Sequence, residues 1–146
     1  MMKLKYLIVV MLVSVFGILA ISDFAAAQSA PELKVTVSKK SFKPGDSGKL
    51  IIKFKHGPKV KIPKEPPIEV DISGDGISGQ GVQDYSGGEG DYISNSQIKY
   101  NFTVSQNAQS GTTITITGTV KFGYCSTESG ICKIGNKNFT VTVKVK

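Results

Sequence analysis

The sequence predicts an all-β fold of the antiparallel β-sandwich class, and three observations point to it. Apolar and polar residues alternate with a period of two in several separate segments, which is the pattern of half-buried strands. Turn-forming Gly, Pro, Asn and Asp residues separate these segments. No helical period appears after residue 27. Several short strands with regular turn signals are typical of two packed antiparallel sheets.

The first 27 residues have the pattern of a secretory signal peptide. A basic start at residues 1–5 precedes an apolar run at residues 6–21, and three alanines follow at residues 25–27. The apolar run is at the short end for a membrane span, so this order predicts cleavage after Ala27 rather than retention as an anchor. We therefore expect an exported, periplasmic protein whose mature part, residues 28–146, is a single domain.

The charge of the chain is strongly basic and comes from lysine alone. The chain has 18 basic and 11 acidic residues and a formal charge of +7; cleavage would remove two lysines and one aspartate and leave +6. Arginine is the usual residue for reading phosphates and base edges, and this sequence has none. We therefore expect no nucleic-acid binding, and we attribute the charge to solubility or to the steering of an acidic partner.

Strands and turns can be placed along the mature chain from the alternation. Residues 73–94 are rich in Gly, Ser, Asp and Gln, which predicts a long loop or two short irregular turns, and long loops often cover functional sites. Lys59, Lys61 and Lys64 surround a short alternating segment and form either a basic docking stripe or a solvated strand face. The predicted strands are residues 33–38, 50–55, 68–72, 97–104, 112–124 and 139–145.

Cys125 and Cys132 are the two cysteines of the chain, and they lie between the last two predicted strands. If these strands form an antiparallel hairpin with the cysteines opposed, the core residues also fall opposite one another. A slip of one residue would put core residues against the threonine face. Opposed Cα atoms at a non-hydrogen-bonded site lie about 4.5 Å apart, the short end of disulfide geometry. The other matched pairs are Ile116 with Val141, Ile114 with Val143, and Phe139 with Gly118.

The same register predicts where the cysteines point. Both fall on the threonine face, opposite to Ile114 and Ile116, near the tip of the hairpin. We therefore expect an outward-facing pair that a partner can reach, unless the glycine-rich loop folds over it.

The pair is either a structural staple or a redox couple. Export would favour a closed disulfide, and a bridge closing about eight residues is worth about 2.5 kcal/mol in the chain-entropy account. The spacing is not Cys-x-x-Cys, and no helix N-terminus is predicted that could acidify a thiol. An active couple would therefore be opened by a partner's thiolate. The alternative is a non-enzymatic binding or structural module with a locked disulfide.

Other site chemistries find little support. His56 is the single histidine, so neither a metal site nor a hydrolase triad is expected, and no nucleophile motif surrounds it. Residues 71–76 hint at a calcium loop but lack its alternating acids and distal glutamate, so a hairpin turn is the better interpretation. We expect no cofactor.

A family resemblance supports the redox interpretation. A Gly-Tyr-Cys segment at residues 123–125 ends a long strand, a short loop leads to Cys132, and a valine-rich strand follows. This arrangement resembles the N-terminal periplasmic domain of the thiol:disulfide interchange protein DsbD. Residues 44–45, 64–70 and 110–116 also resemble the pattern of that domain. The spacing here is one residue longer, and Lys133-Ile134 stands where prolines commonly follow the second cysteine.

The resemblance implies an immunoglobulin-like sandwich whose cysteines relay electrons to oxidised exported proteins. It implies that Cys132 forms the mixed disulfide and Cys125 resolves it. Because the sequence covers one domain, a thioredoxin-like or membrane electron-transfer protein is expected to supply electrons to a monomer. A cap-loop aromatic shields the disulfide in that family; here it would be Tyr85 beside Asp84, with Tyr92 as the second choice. The residues expected near the site are Phe122, Tyr124 and Lys133.

Overall fold

The protein is an all-β structure, as predicted. The computed structural model describes residues 29–83 and 90–146, so the predicted signal peptide lies outside the described residues. The described parts hold one short helical element, a single 3₁₀ turn at Ser94–Ser96, and no helix long and apolar enough to cross a membrane. The strands are β1 Glu32–Val37, β2 Ser41–Phe42, β3 Ser47–Lys55, β4 Val60–Lys61, β5 Glu69–Ser73, β6 Ile77–Gln83, β7 Gln97–Val104, β8 Thr113–Ser126 and β9 Cys132–Val145.

The strands form two sheets. The first has the order β1-β3-β7-β6, and the second has the order β2-β9-β8-β4, with β5 also pairing with β8. The short β4 and β5 lie one after the other along the same edge of β8, because β9 occupies the other edge. The pairings are antiparallel except that of β2 with β9, which is parallel. The predicted antiparallel sandwich is therefore confirmed.

The core lies between the sheets and follows from the alternation in the sequence. Along β3, β7 and the first part of β8, every second residue is buried and its neighbours face outward. Burial of each large apolar side chain contributes about 1.5–3 kcal/mol relative to exposure, so these faces hold the sheets together. The largest fully buried side chains include Phe42, Phe54, Phe102, Phe122, Leu50, Ile52, Ile98 and Ile116.

The predicted register of the last hairpin is confirmed. β8 and β9 pair without interruption from Thr113 opposite Lys144 to Cys125 opposite Cys132. The ring of Phe139 packs where Gly118 leaves room, since a Cβ there would come within 2.5 Å of it. The predicted core pairs Ile116–Val141 and Ile114–Val143 are also present.

The prediction of a long loop at residues 73–94 is wrong in its first half, because Ile77–Gln83 forms β6 at the edge of the first sheet. The Tyr100 hydroxyl reaches across β6, and a Cβ on Gly79 would lie 2.2 Å from it. The pairing also shifts between Gly79 and Val82. A glycine at an inward position and an irregular register remove the alternation that would have predicted a strand.

The turn at residues 74–76 is present, but it does not form a hairpin. The N–H of Ile77 donates to the carbonyl of Gly74 (3.1 Å), and Gly76 has a positive φ of 75°. The strands on either side belong to different sheets, since β5 pairs with β8 and β6 pairs with β7. The turn therefore carries the chain from one layer of the sandwich to the other.

Candidate functional site

The disulfide joins the two strands at the open end of the β8–β9 ladder. Cys125 and Cys132 are bonded, with an S–S distance of 1.99 Å and a Cα–Cα distance of 4.0 Å. The next residues toward the tip form a hydrogen-bonded pair, because the N–H of Ser126 donates to the carbonyl of Ile131 (2.9 Å). Hydrogen-bonded and non-hydrogen-bonded pairs alternate, so the cysteines occupy a non-hydrogen-bonded site, where Cα atoms approach most closely.

The two cysteines are not equally accessible, which corrects the prediction that both can be reached. Cys125 is 4% exposed, whereas Cys132 is exposed. The difference follows from strand order: β4 lies beside Cys125, with Lys61 as its direct partner. On the far side of Cys132 the described residues provide no strand, because β2 pairs with β9 only near Val145. Cys132 is therefore at a sheet edge and Cys125 is one strand inside it.

A proline-rich connector also covers the face that carries Cys125. A Cβ on Gly123 would lie 3.0 Å from Cγ of Pro63 and 3.5 Å from Cδ of Pro66. Gly123 and Cys125 are two residues apart on one strand and therefore share a face. The connector between β4 and β5 crosses this outward face and packs against the backbone beside Cys125.

Of the three predicted cap residues, Tyr92 is placed near the disulfide. Asp84 and Tyr85 lie outside the described residues. Tyr92 forms an isolated antiparallel bridge with Pro63, and the neighbouring Lys64 N–H donates to the carbonyl of Asp91 (2.7 Å). Tyr92 is half-buried and stands in one row with Pro63 and Gly123 on the outward side of the sheet.

The predicted near-site residues adjoin the cysteines in sequence but face the other side of the sheet. Phe122 and Tyr124 are 1% and 5% exposed and belong to the core. The rings of Phe54 and Phe122 have centroids 4.7 Å apart. Lys133 is exposed opposite Tyr124, so it shares the face of Tyr124 and not that of the sulfurs. Phe122 and Tyr124 therefore support the hairpin from the core side, and none of the three shares the face that carries the cysteines.

The hairpin tip is bonded to the start of β4. The N–H of Thr127 donates to the carbonyl of Lys59 (2.9 Å), and the Lys59 ammonium forms an ion pair with Glu128. The Ser126 hydroxyl accepts the N–H of Ser129 (3.2 Å) within the tip. These contacts join the tip to the segment before β4 in addition to the disulfide.

The lysines of the predicted stripe contact neighbouring parts of the chain. The Lys61 ammonium lies 5.1 Å from the centroid of the Tyr92 ring. The Lys64 ammonium donates to the carbonyl of Gly90 (2.9 Å). With the Lys59–Glu128 pair, these contacts place a set of lysine charges along the Cys125 side of the site.

His56 contacts the backbone of Gly57 and the turn before β7. Its Nδ1 lies 2.8 Å from the carbonyl of Gly57, to which it can only donate, so Nε2 accepts from the hydroxyl of Ser96 at 2.5 Å. This contact ties the end of β3 to the turn before β7. Among residues 29–83 and 90–146, no three His, Cys, Asp or Glu side chains come together in a way that could hold a metal ion.

Sequence reasoning missed two neighbours of the cysteines. Ile134 is 55% exposed and pairs with Gly123, so it lies on the same face as Cys132, two residues along β9. Lys61 is the direct cross-strand partner of Cys125. The position of Ile134 could have been inferred from the register, because the register places this residue on the same face as the cysteines. The Lys61 pairing could not, because a strand of two residues carries no readable period.

Comparison with protein-family models gives no match, and comparison with curated proteins gives none either. Two solved structures share some of the architecture at low identity. One is the sporulation control protein Spo0M from Bacillus subtilis (TM-score 0.44, 11% identity), for which the alignment covers 81% of this chain and 50% of that one. The other is the DsbD N-terminal domain of Neisseria meningitidis in its reduced form (TM-score 0.36, 10% identity, 79% and 85% covered). This chain thus spans half the length of the Spo0M chain.

Proposed function

We propose that this protein is an exported thiol–disulfide exchange domain that relays electrons through Cys125 and Cys132. The donor would be a thioredoxin-like protein or a membrane electron-transfer protein, and the acceptors would be oxidised proteins of the same extracytoplasmic compartment. The observation that carries the proposal is the unequal exposure of the two cysteine residues within a hairpin that has many contacts besides their bond. The signal-peptide pattern supports the compartment.

The exposed sulfur is the one a partner can attack. A donor thiolate would bond to Sγ of Cys132, the Cys125–Cys132 bond would break, and its electron pair would remain on Cys125 as a thiolate. A second thiol of the donor would then release Cys132, leaving this protein with two thiols and the donor with a disulfide. Burial of Cys125 protects its sulfur from direct attack.

The delivery of electrons would follow the same path in reverse. The Cys132 thiolate attacks a disulfide of the oxidised acceptor and forms a mixed disulfide, while one acceptor sulfur leaves as a thiolate. Cys125 then attacks Cys132, restores the internal disulfide and releases the second acceptor thiol. Two electrons pass to the acceptor. A Cα separation of 4.0 Å keeps Cys125 within reach of Cys132 throughout.

Trapping of the mixed disulfide tests these roles. Cys125→Ala removes the resolving thiol, so we expect it to accumulate a mixed disulfide through Cys132 when mixed with an oxidised protein substrate. The matched variant Cys132→Ala leaves the buried thiol alone and should trap little. The complexes are counted by non-reducing electrophoresis after acid quenching. Equal trapping by both variants, or by neither, would refute the assigned roles.

The alternative function is a binding or structural module with a locked disulfide. One observation favours it: the bond sits where a staple would hold a hairpin tip, beside a covered Cys125. A locked bridge would remain closed in dithiothreitol at concentrations that fully reduce thioredoxin. The exchange function requires it to open under those conditions.

A further inference from the structure

We propose that the Lys61 ammonium stabilises the thiolate that Cys125 becomes when the disulfide opens, and so makes Cys125 a better leaving group. The inference rests on the proposed function, because opening of this bond is the reaction it concerns. It assigns to β4 a positioning role beyond that of covering Cys125.

The strand register places the three residues in one row. Lys61 pairs with Cys125 across the β4–β8 boundary, and Cys125 pairs with Cys132 across the β8–β9 boundary. Direct partners on antiparallel strands point to the same face, with Cβ atoms about 4.5–5.5 Å apart. The lysine therefore stands on the opposite side of Cys125 from the sulfur that a partner attacks, and an incoming protein at Cys132 does not need to displace it.

The charge of Lys61 is held near this row by an aromatic ring. Its ammonium lies 5.1 Å from the centroid of Tyr92, within the range of a cation–π contact. Tyr92 is fixed in turn by its bridge to Pro63, which packs against Gly123. Lys61 is exposed, but its ammonium has this aromatic contact, and its backbone pairs directly with Cys125.

The other charged groups near Cys125 are placed differently from Lys61. Glu128, at the hairpin tip, is ion-paired with Lys59. Lys133 faces the other side of the sheet with Tyr124. Lys61 is the charged side chain that pairs directly with Cys125. Lys64 and Glu65 lie on the connector, with Asp91 beside it. Lys121, on the same face of β8, is paired with Glu69. Glu32, Lys55, His56 and Lys137 line a cleft together with Ser126 and Glu128.

A positive charge beside Cys125 favours opening of the disulfide, because this cysteine is buried. Burial in a poorly solvated site disfavours a thiolate and raises its pKa, whereas a nearby positive charge lowers it. A thiol with a lower pKa leaves a disulfide faster. A lysine beside the leaving sulfur thus offsets the cost that burial imposes on the first step of exchange.

Titration of the Cys125 thiol tests the inference without requiring exchange. In a Cys132→Ser background, the thiolate is followed by its ultraviolet absorbance as the pH is raised. We expect Lys61→Met to raise the pKa of the Cys125 thiol by roughly one unit, the low end of the effect of a nearby opposite charge. Lys61→Arg should restore most of the shift. Lys144→Met, which removes the same charge at the far end of β9, is the control for net charge.

Ionic strength gives a second readout in the intact disulfide. The rate of opening by dithiothreitol should fall several-fold in Lys61→Met at 10 mM salt, and the difference from the parent should shrink at 1 M, where the Debye length falls from about 30 Å to about 3 Å. A merely structural role for Lys61 would not depend on salt in this way.

The outcomes separate the two proposals. If the pKa of Cys125 in Lys61→Met equals that in the parent or in Lys144→Met, the proposed role of Lys61 is wrong. That conclusion holds whether or not the protein exchanges disulfides with a partner. If the shift is present but thioredoxin does not open the disulfide, the charge effect stands and the exchange function fails.

Discussion

At the scale of single residues, the two sulfurs of one bond differ because one extra strand and one connector lie on the side of Cys125. Lys61 pairs with Cys125, and the connector packs on Gly123, whereas Cys132 is at the edge. This asymmetry leaves Cys132 the more accessible cysteine of the pair. The cover of Cys125 depends on Gly123, because the lack of a side chain there lets Pro63 and Pro66 approach the backbone.

Gly123→Val should therefore disturb the cover of Cys125. A side chain at this position would meet Pro63 at 3.0 Å, and overpacking of this kind typically costs 1–3 kcal/mol. We expect a lower free energy of unfolding and, in the reduced protein, faster alkylation of Cys125 while Cys132 changes little. Urea unfolding and site-resolved alkylation measure the two effects.

Gly57→Ala is the matched control, since a Cβ there meets nothing within 4 Å. It should change neither the free energy of unfolding nor the alkylation of Cys125 appreciably. If Gly123→Val alkylates Cys125 no faster than the parent, the connector is not what shields it.

At the scale of elements, the β8–β9 hairpin has many contacts besides the disulfide. Its ladder is continuous from Thr113 to Cys125, and the tip is bonded to Lys59 of the segment before β4. A redox couple needs such a frame because its reduced form must remain folded.

The double variant Cys125→Ala, Cys132→Ala should thus remain folded. A loop of this length contributes about 2.5 kcal/mol by the chain-entropy account, a loss that a domain of ordinary stability tolerates. Circular dichroism and urea unfolding compare it with the oxidised parent. An unfolded double variant would show that the bond is an obligatory staple.

The core face of the hairpin should be far more sensitive. Phe122 is 1% exposed and contacts Phe54, so Phe122→Ala should lower the free energy of unfolding by about 3–5 kcal/mol. Phe139→Ala removes a half-buried ring of the same hairpin and should cost clearly less. Equal losses, measured by urea unfolding, would contradict the assigned core.

The hairpin was predictable from sequence because two independent patterns agree on one register. The cysteines and the alternation of Ile114, Ile116 and Val143 require the same pairing, and the structure has it. β6 was not predictable, because an inward-facing position of this strand is Gly79. The side chain of Tyr100 from β7 occupies the space that a larger residue would fill. The cover of Cys125 was equally hidden, since a two-residue strand such as β4 has no period to detect.

At the scale of the whole molecule, the excess of lysine bears on partner choice. The chain has a formal charge of +7, and Lys59, Lys61 and Lys64 lie on the Cys125 side of the site. Association with an acidic partner should be faster at low salt, because exposed charges steer the encounter over a Debye length.

Exchange with an acidic thioredoxin should therefore slow as sodium chloride is raised. We expect a larger salt effect than for dithiothreitol, because its attacking thiolate carries a single charge whereas an acidic thioredoxin carries many. Stopped-flow measurement of thioredoxin oxidation gives the first rate, and quenched alkylation of the opened cysteines gives the rate with dithiothreitol. A rate with thioredoxin that is independent of salt would show that the lysines do not guide association.

The central claim is that the Cys125–Cys132 bond opens and closes under the potentials of thioredoxin-like proteins. The most direct test is to equilibrate the purified protein with mixtures of reduced and oxidised thioredoxin and to count its free thiols by alkylation and mass spectrometry. The account predicts that two thiols appear together as the reduced fraction of thioredoxin rises, with the protein still folded. A disulfide that stays closed when thioredoxin is fully reduced would contradict it and leave the structural module as the function.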